Sequence, residues 1–193
     1  MRRYHKYQIR AASLLAAFVF TAFVGSPAIL ADSGYTWADQ TNAGTQPWSG
    51  VASSSTGQYL AATVTGGDIY TSNDYGVTWV DDTVATPEAN SLWQGITSSA
   101  SGQYLAAVDY SGDIFTSNDY GESWTDQTNS GNEPWYYITS SASGQYLAAV
   151  ATYGGGIYRS NDYGVTWTQT TAPGENWVSI SASSDGSTLV AAD

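Results

Sequence analysis

The sequence predicts an all-β chain, a β-propeller of four-stranded antiparallel blades, with about three complete blades plus a split partial blade. Three observations predict it. The segment "WSGVASSSTGQYLAATV" at Trp48 returns as "WQGITSSASGQYLAAVD" at Trp93, "WYYITSSASGQYLAAVA" at Trp135 and "WVSISASSDGSTLVAAD" at Trp177, at spacings of 45, 42 and 42 residues. Each unit holds four short runs rich in Val, Ile, Thr, Tyr, Phe and Trp, the residues that suit a pleated, half-buried surface. Four strands of about six residues with four connections of about five come to ~44 residues, which matches the period and leaves no room for a helix. Tandem four-stranded units of this length mark propeller blades; a β-solenoid is the weaker alternative, because its coils are shorter and lack paired hairpins.

Taken in order, residues 1–31 read as a secretory signal. Arg2, Arg3, Lys6 and Arg10 precede the apolar run "AASLLAAFVFTAFVG" and the small-residue stretch "SPAILA", the three parts of such a leader. Cleavage is expected after Ala31, with Ala28 the second choice. An uncleaved anchor is the alternative, against which stand the shortness of the run and Pro27 at its end. The expected location is secreted, extracellular or periplasmic.

Residues 32–193 form the repeat domain. Residues 32–42 supply a lone strand four, complete blades follow at about 46–86, 91–129 and 133–171, and 175–193 supply strands one and two of a last blade. In the middle unit the strands are "WQGITSSA", "QYLAAVD", "DIFTSN" and "ESWTDQT". Strands two and three are joined at Gly66, Ser111 and Gly154 by two-residue primed turns, which need positive φ. Strand one lies nearest the axis, where Gly50, Gly95 and Ser179 suit a crowded centre and Tyr137 breaks the pattern. Joining the two ends makes a blade that lacks strand three. Three readings follow: a strained four-bladed ring, an open arc completed by a second copy as a homodimer, or a piece of a longer propeller. The last two are favoured over a closed monomer.

Four of the five basic residues and the single histidine, His5, lie in the leader, and all 17 acidic residues lie beyond it. Arg159 is then the one base of the mature chain, whose formal charge is −16. Such a surface repels polyanions, which excludes nucleic acid and anionic membranes as partners. Self-repulsion weakens the compact state, so stability is expected to rise with salt. With no cysteine, the exported chain must hold together by its core.

One octapeptide recurs between strands three and four: "SNDYGVTW" from Ser72, "SNDYGESW" from Ser117 and "SNDYGVTW" from Ser160. Its aspartate can accept hydrogen bonds from the turn ahead of it, its glycine allows a conformation a β-carbon forbids, and its tryptophan can bury a large surface between sheets. The pattern S-x-D-x-G-x-[TS]-W resembles the Asp-box, or bacterial neuraminidase repeat, of sialidase-like propellers. The match is complete at Ser72, Asp74, Gly76, Thr78, Trp79, at Ser117, Asp119, Gly121, Ser123, Trp124, and at Ser160, Asp162, Gly164, Thr166, Trp167. A damaged fourth copy is "DSGYTW", Asp32 to Trp37. The resemblance extends to sialidases, xyloglucanases, sortilin-type receptors and photosystem II assembly-factor propellers, and it implies that the box is a structural hairpin on the face away from the ligand.

Sialidases hold their substrate's carboxylate with an arginine cluster, and only Arg159 is expected to remain in the mature chain, beside a box. The mature chain has no His, Cys or Lys to activate a nucleophile, and zinc is excluded on the same ground. Weak calcium binding by loop carboxylates and carbonyls is the one cofactor expectation. Carboxylates expected on the ligand face are Glu88, Glu133 and Glu175 before strand one, and Asp68, Asp109 and Asp113 after strand two. None recurs in a pattern that picks out an acid and a nucleophile. The candidate ligand-binding residues are Trp48, Trp93, Trp135 and Trp177, with Glu133 and Glu175 two residues before the last two, because an aromatic plate beside a carboxylate suits a sugar or a cation. The alternative is that these rings wedge adjacent blades together. The functional expectation is an exported non-catalytic scaffold that binds carbohydrate or a protein partner. The alternatives are a fragment of a sialidase-like or other glycoside hydrolase propeller, or a photosystem II assembly-factor-like propeller.

Overall fold

The computed structural model describes residues 16–17, 38–81, 91–110 and 112–193. Apart from Ala16 and Ala17, residues 1–31, for which a secretory signal is expected, lie outside the described residues, as do the damaged copy Asp32–Trp37, Glu88 and Ser111. β1 (Ala16–Ala17) pairs antiparallel with β2 (Ala38–Asp39). Among the described residues no helix is long and apolar enough to cross a membrane.

Three four-stranded antiparallel blades follow. The first is β3 (Trp48–Ser53), β4 (Leu60–Gly67), β5 (Ile69–Ser72) and β6 (Val80–Asp81). The second is β7 (Ser91–Ser98), β8 (Leu105–Asp109), β9 (Ile114–Ser117) and β10 (Thr125–Asp126). The third is β11 (Trp135–Ser140), β12 (Leu147–Ala151), β13 (Ile157–Ser160) and β14 (Thr168–Gln169). A final hairpin, β15 (Ser179–Ala182) with β16 (Leu189–Ala192), supplies strands one and two of another unit. The predicted all-β blade pattern is the observed one.

Successive blades are tied in chain order. The amide of Ser55 donates to the Ala100 carbonyl, that of Ala100 to Ala142, and that of Ala142 to Ser184, at 2.9, 2.8 and 2.7 Å. These bonds link the turns between strands one and two. β4 also runs on to pair with β7 through Thr65↔Leu92 and Gly67↔Ser91, so the first two blades share one ladder. The second strand of each blade is covered on both faces, which explains its alanines: Ala61, Ala62, Ala106, Ala107, Ala148 and Ala149 are all buried. Small side chains there let neighbouring sheets approach closely.

The inner strands β3, β7, β11 and β15 line one central cavity of about 320 Å³, with Val51, Thr97, Tyr137 and Ser181 among its walls. The expectation of a crowded axis holds at Gly50, where an added Cβ would meet Thr63 Oγ1 at 2.9 Å and the Ile96 amide nitrogen at 3.2 Å. At Gly95 it does not hold, since the nearest atom, Tyr137 Cα, lies at an ordinary 3.5 Å. Tyr137 is tolerated because its side chain enters the cavity, where it is 42% exposed.

Candidate functional site on the loop face

Strand direction sorts the connections onto two ends. The turns between strands one and two, and the boxes between strands three and four, share one end. The hairpins between strands two and three, and the loops leading into strand one, share the other, which is the loop face.

At the box end each motif closes on itself. The Ser72 hydroxyl donates to Asp74 Oδ1 and accepts from the Gly76 amide, both at 2.9 Å; the Thr78 amide and hydroxyl donate to the two oxygens of Asp74 at 2.8 and 2.7 Å. Asp119 and Asp162 repeat this arrangement. Trp79 and Trp167 complete it by donating from Nε1 to the carbonyls of Gly76 and Gly164, at 3.1 and 2.9 Å. Partial burial pushes the Asp74 and Asp119 carboxyls up, but hydrogen bonds from Thr78 and Ser72, or from Ser123 and Ser117, outweigh it and hold both below the usual range. At Asp162 the Thr166 hydroxyl is the leading cause of the same lowering. The box tyrosines Tyr120 and Tyr163 stack at 4.5 Å on Tyr59 and Tyr104 of the preceding blades, so the motif also joins blades. The serine, aspartate and Thr/Ser side chains of each box are all engaged in the fold, whereas the buried Nε1 of Trp124 has no partner among the described residues.

For Trp93 and Trp135 the structure corrects the expectation that the strand-one tryptophans offer ring faces to a ligand. Trp93 and Trp135 are fully buried. Each ring meets an aromatic of its own strand three edge-on, Phe115 at 5.1 Å and Tyr158 at 4.9 Å. Each indole N–H donates to a hairpin carbonyl of the preceding blade, Trp93 to Gly67 at 3.2 Å and Trp135 to Gly112 at 3.1 Å. These rings are wedges between blades. Trp48 packs edge-on against Tyr70 at 5.3 Å in the same way, but its buried Nε1 has no partner among the described residues. Trp177 donates to the Pro173 carbonyl of its own loop at 3.1 Å.

The carboxylates separate into two groups. Asp109 is buried and accepts from the Leu92 amide at 3.1 Å, which fixes the entry to β7. Glu133 accepts from the Tyr158 hydroxyl at 3.0 Å, and burial together with that bond pushes the Tyr158 phenol up to about 12. Glu175 is exposed, and its amide donates to the Gly155 carbonyl at 3.3 Å, placing it beside the third hairpin. Asp68 and Asp113 close the first two hairpins through carbonyls that accept from Val64 and Asp109 at 3.0 and 2.9 Å. Among the described residues no group of three or more His, Cys, Asp or Glu side chains is arranged to hold a metal ion.

Sequence reasoning missed a set of tyrosines that depart from the repeat. Tyr136 is the extra residue of a β-bulge in β11, where the register shifts between Trp135 and Tyr137; the matching bulges hold Ser49 and Gln94. Bulges re-aim side chains, and this one presents a ring that is 36% exposed. Tyr110 stands where the other blades have Thr65 and Thr152. Tyr153 lies in the third hairpin, in a turn closed by the Gly155 amide on the Thr152 carbonyl at 3.1 Å. Its central residues, Tyr153 and Gly154, have φ of +55° and +80°. The positive-φ pair is therefore Tyr153–Gly154, not Gly154–Gly155 as the "GG" spelling suggests. The rings of Tyr110 and Tyr153 meet edge-on at 6.4 Å, and the hydrogen bond to the Tyr153 hydroxyl holds the Tyr110 phenol above its ordinary value. One signal was available in the spacing: strand-one Trp to box Asp is 26 residues in the first two blades and 27 in the third.

Comparison with known proteins agrees with this architecture. The family model described as BNR-Asp box repeat matches residues 157–170. No curated protein matches the sequence. Among solved structures, YCF48 bound to D1 peptide aligns with a TM-score of 0.54 at 14% identity, over 63% of this chain and 39% of that one. An ancestral GH74 enzyme aligns with a TM-score of 0.60 at 16% identity, over 75% and 22%. The GH74 enzyme of Niastella koreensis aligns with a TM-score of 0.53 at 19% identity, over 67% and 18%. This chain spans well under half the length of each. The matching repeat model falls on the third of the three boxes, and the blade architecture is that of the β-propeller fold.

Proposed function

We propose that this chain is an exported, non-catalytic propeller scaffold that binds a protein partner through its loop face. The observation that carries this reading is where the repeat is broken. Tyr110, Tyr136 and Tyr153 depart from it on the loop face, whereas the buried carboxylate Asp109 is taken up by the Leu92 amide and serves packing. A reaction needs one asymmetric cluster of groups free to transfer protons or attack; a binding surface needs accessible aromatic area and shape. The likeness to YCF48, solved with D1 peptide bound, supports a polypeptide ligand for a propeller of this build.

The test is a peptide array and a glycan array probed with the same purified chain. Peptide binding that is lost when the loop-face tyrosines are changed to serine supports the reading. Binding confined to glycans replaces the protein partner with a carbohydrate one. A second reading, a piece of a glycoside hydrolase propeller, draws on the fit to the ancestral GH74 enzyme; release of reducing ends from a polysaccharide panel would establish it.

The same proposal includes a second copy of the chain completing the ring. What supports it is the first blade's outer face, where Trp48 and Trp79 are only half-buried. Among the described residues the buried Trp48 indole nitrogen has no counterpart to the hairpin carbonyl that Trp93 and Trp135 receive from a neighbouring blade.

A further inference from the structure

Tyr110, Tyr136 and Tyr153 belong to two adjacent blades, and the fold requires none of them. The Tyr110 position holds Thr65 and Thr152 in the other blades, and the Tyr136 position holds Ser49, Gln94 and Val178. The Tyr153 position holds Gly66 in the first blade, at φ +72°. A tyrosine in left-handed backbone is sterically disfavoured where glycine is not. Tyr153 is also 77% exposed, so no burial compensates. The box tyrosines Tyr75, Tyr120 and Tyr163 share this backbone, and Tyr120 and Tyr163 are covered by a ring of the preceding blade, whereas Tyr153 meets Tyr110 edge-on and is left open to solvent, which points to a role outside the fold.

The surroundings indicate the sign of the ligand. Each tyrosine's loop brings a carboxylate: Asp113 in the hairpin of Tyr110, Glu133 three residues before Tyr136, and Glu175 hydrogen-bonded through its amide to the hairpin of Tyr153. The hairpin of Tyr110 also lies against the segment carrying Glu133, since a Cβ on Gly112 would collide with the Asn132 side chain. Opposing positive charge is scarce. Arg159 reaches the Gly186 carbonyl at 3.4 Å, in the turn between β15 and β16 at the box end. The whole chain carries a formal charge of −12. Phenol faces with carboxylates at their edge attract a cation, which gains from the ring quadrupole at a centroid distance within about 6 Å and from the surrounding field. A neutral sugar would use the rings but gain nothing from the field.

We infer that Tyr110, Tyr136 and Tyr153 form a platform for a basic peptide segment, whose lysine or arginine side chain lies over the phenol rings while Asp113, Glu133 and Glu175 supply counter-charge. This rests on the protein-partner reading and names the chemistry of the partner. Tyr110 and Tyr153 are braced edge to face at 6.4 Å, and Tyr136 stands in the bulge of the adjacent β11.

The experiment is calorimetric titration of the chain with an eight-residue Lys/Arg peptide, its Glu counterpart, an uncharged peptide and a neutral oligosaccharide. The basic peptide is expected to bind selectively, and to bind more weakly as salt rises from about 0.05 to 0.5 M. Tyr153→Gly is the informative variant, because glycine suits the turn: melting temperature is expected unchanged or higher, with binding weakened about fivefold or more. Tyr136→Ser is expected to weaken binding similarly. Basic-peptide binding that is equal in Tyr153→Gly and the parent overturns the platform, as does selective binding of the oligosaccharide. If the uncharged or acidic peptide binds instead, the cationic ligand is wrong and the protein-partner reading stands. If no peptide binds and the oligosaccharide does, both fall.

Discussion

Asp162 shows how much one side chain does in each box, since it accepts from the Thr166 amide and from the hydroxyls of Thr166 and Ser160. Asp162→Ala removes the acceptor for all three donors. It is expected to cost about 1 kcal/mol, modest because the site is partly open to water. Chemical denaturation with a two-state fit checks this. The pH dependence has a definite sign. Asp74, Asp119 and Asp162 titrate below their ordinary value in the folded chain, so their contribution is full above the unfolded value near 3.8 and is lost as pH falls through the folded one. The exposed Asp185, held at about 2 by the Ser183 hydroxyl and by the amide and hydroxyl of Ser187, follows the same sense. Melting temperature is expected to fall between about pH 4 and 2, and less steeply in a triple Asp→Asn box variant. Trp135 is the larger lever. Its ring is fully buried and its N–H is donated across blades, so Trp135→Ala is expected to cost about 3 to 5 kcal/mol.

At the scale of the element, the inner strands carry a paired prediction. A Cβ at Gly50 meets backbone at 3.2 Å as well as Thr63 Oγ1, so Gly50→Ala is expected to destabilise by about 1 to 3 kcal/mol. Gly95→Ala meets only ordinary contacts and is expected to be neutral or slightly stabilising, since alanine restricts the unfolded chain. Parallel thermal melts of the two variants decide it. The same strands show what was legible in the sequence. Blade count, strand order and the role of the box were readable because each repeats, and repetition reports what every blade needs. The fate of Trp93 and Trp135 was not, because a repeated aromatic is spelled the same whether it lies on a rim or between sheets. Only the neighbouring hairpin carbonyls distinguish the two. The tyrosine set was hidden for the opposite reason: Tyr110, Tyr136 and Tyr153 are single departures from the repeat, brought together by a bulge, a one-residue longer hairpin and the adjacency of two blades. Tyr153 in particular sits where the preference for glycine gives no warning of a side chain.

For the whole molecule, charge bears on the proposed pairing of two copies. Two copies that pair as proposed must bring together surfaces with the same acidic excess, so at low ionic strength repulsion opposes contact at the half-buried edge of the first blade. Screening shortens from about 30 Å at 0.01 M salt to about 3 Å at 1 M, while the apolar contribution of Trp48 and Trp79 persists or strengthens. Association is therefore expected to rise with salt: light scattering should give the monomer mass near 0.01 M and move towards twice that mass by about 0.5 M at the same protein concentration. Melting temperature should rise over the same range, from screening within each chain as well as from association. Trp48→Ala separates the two effects. It lies at the half-buried outer edge of the first blade, so it is expected to keep the salt-dependent rise in melting temperature and lose the salt-dependent dimer. A protease-resistant monomer at every salt concentration would show instead that a single chain closes on itself around the cavity lined by β3, β7, β11 and β15.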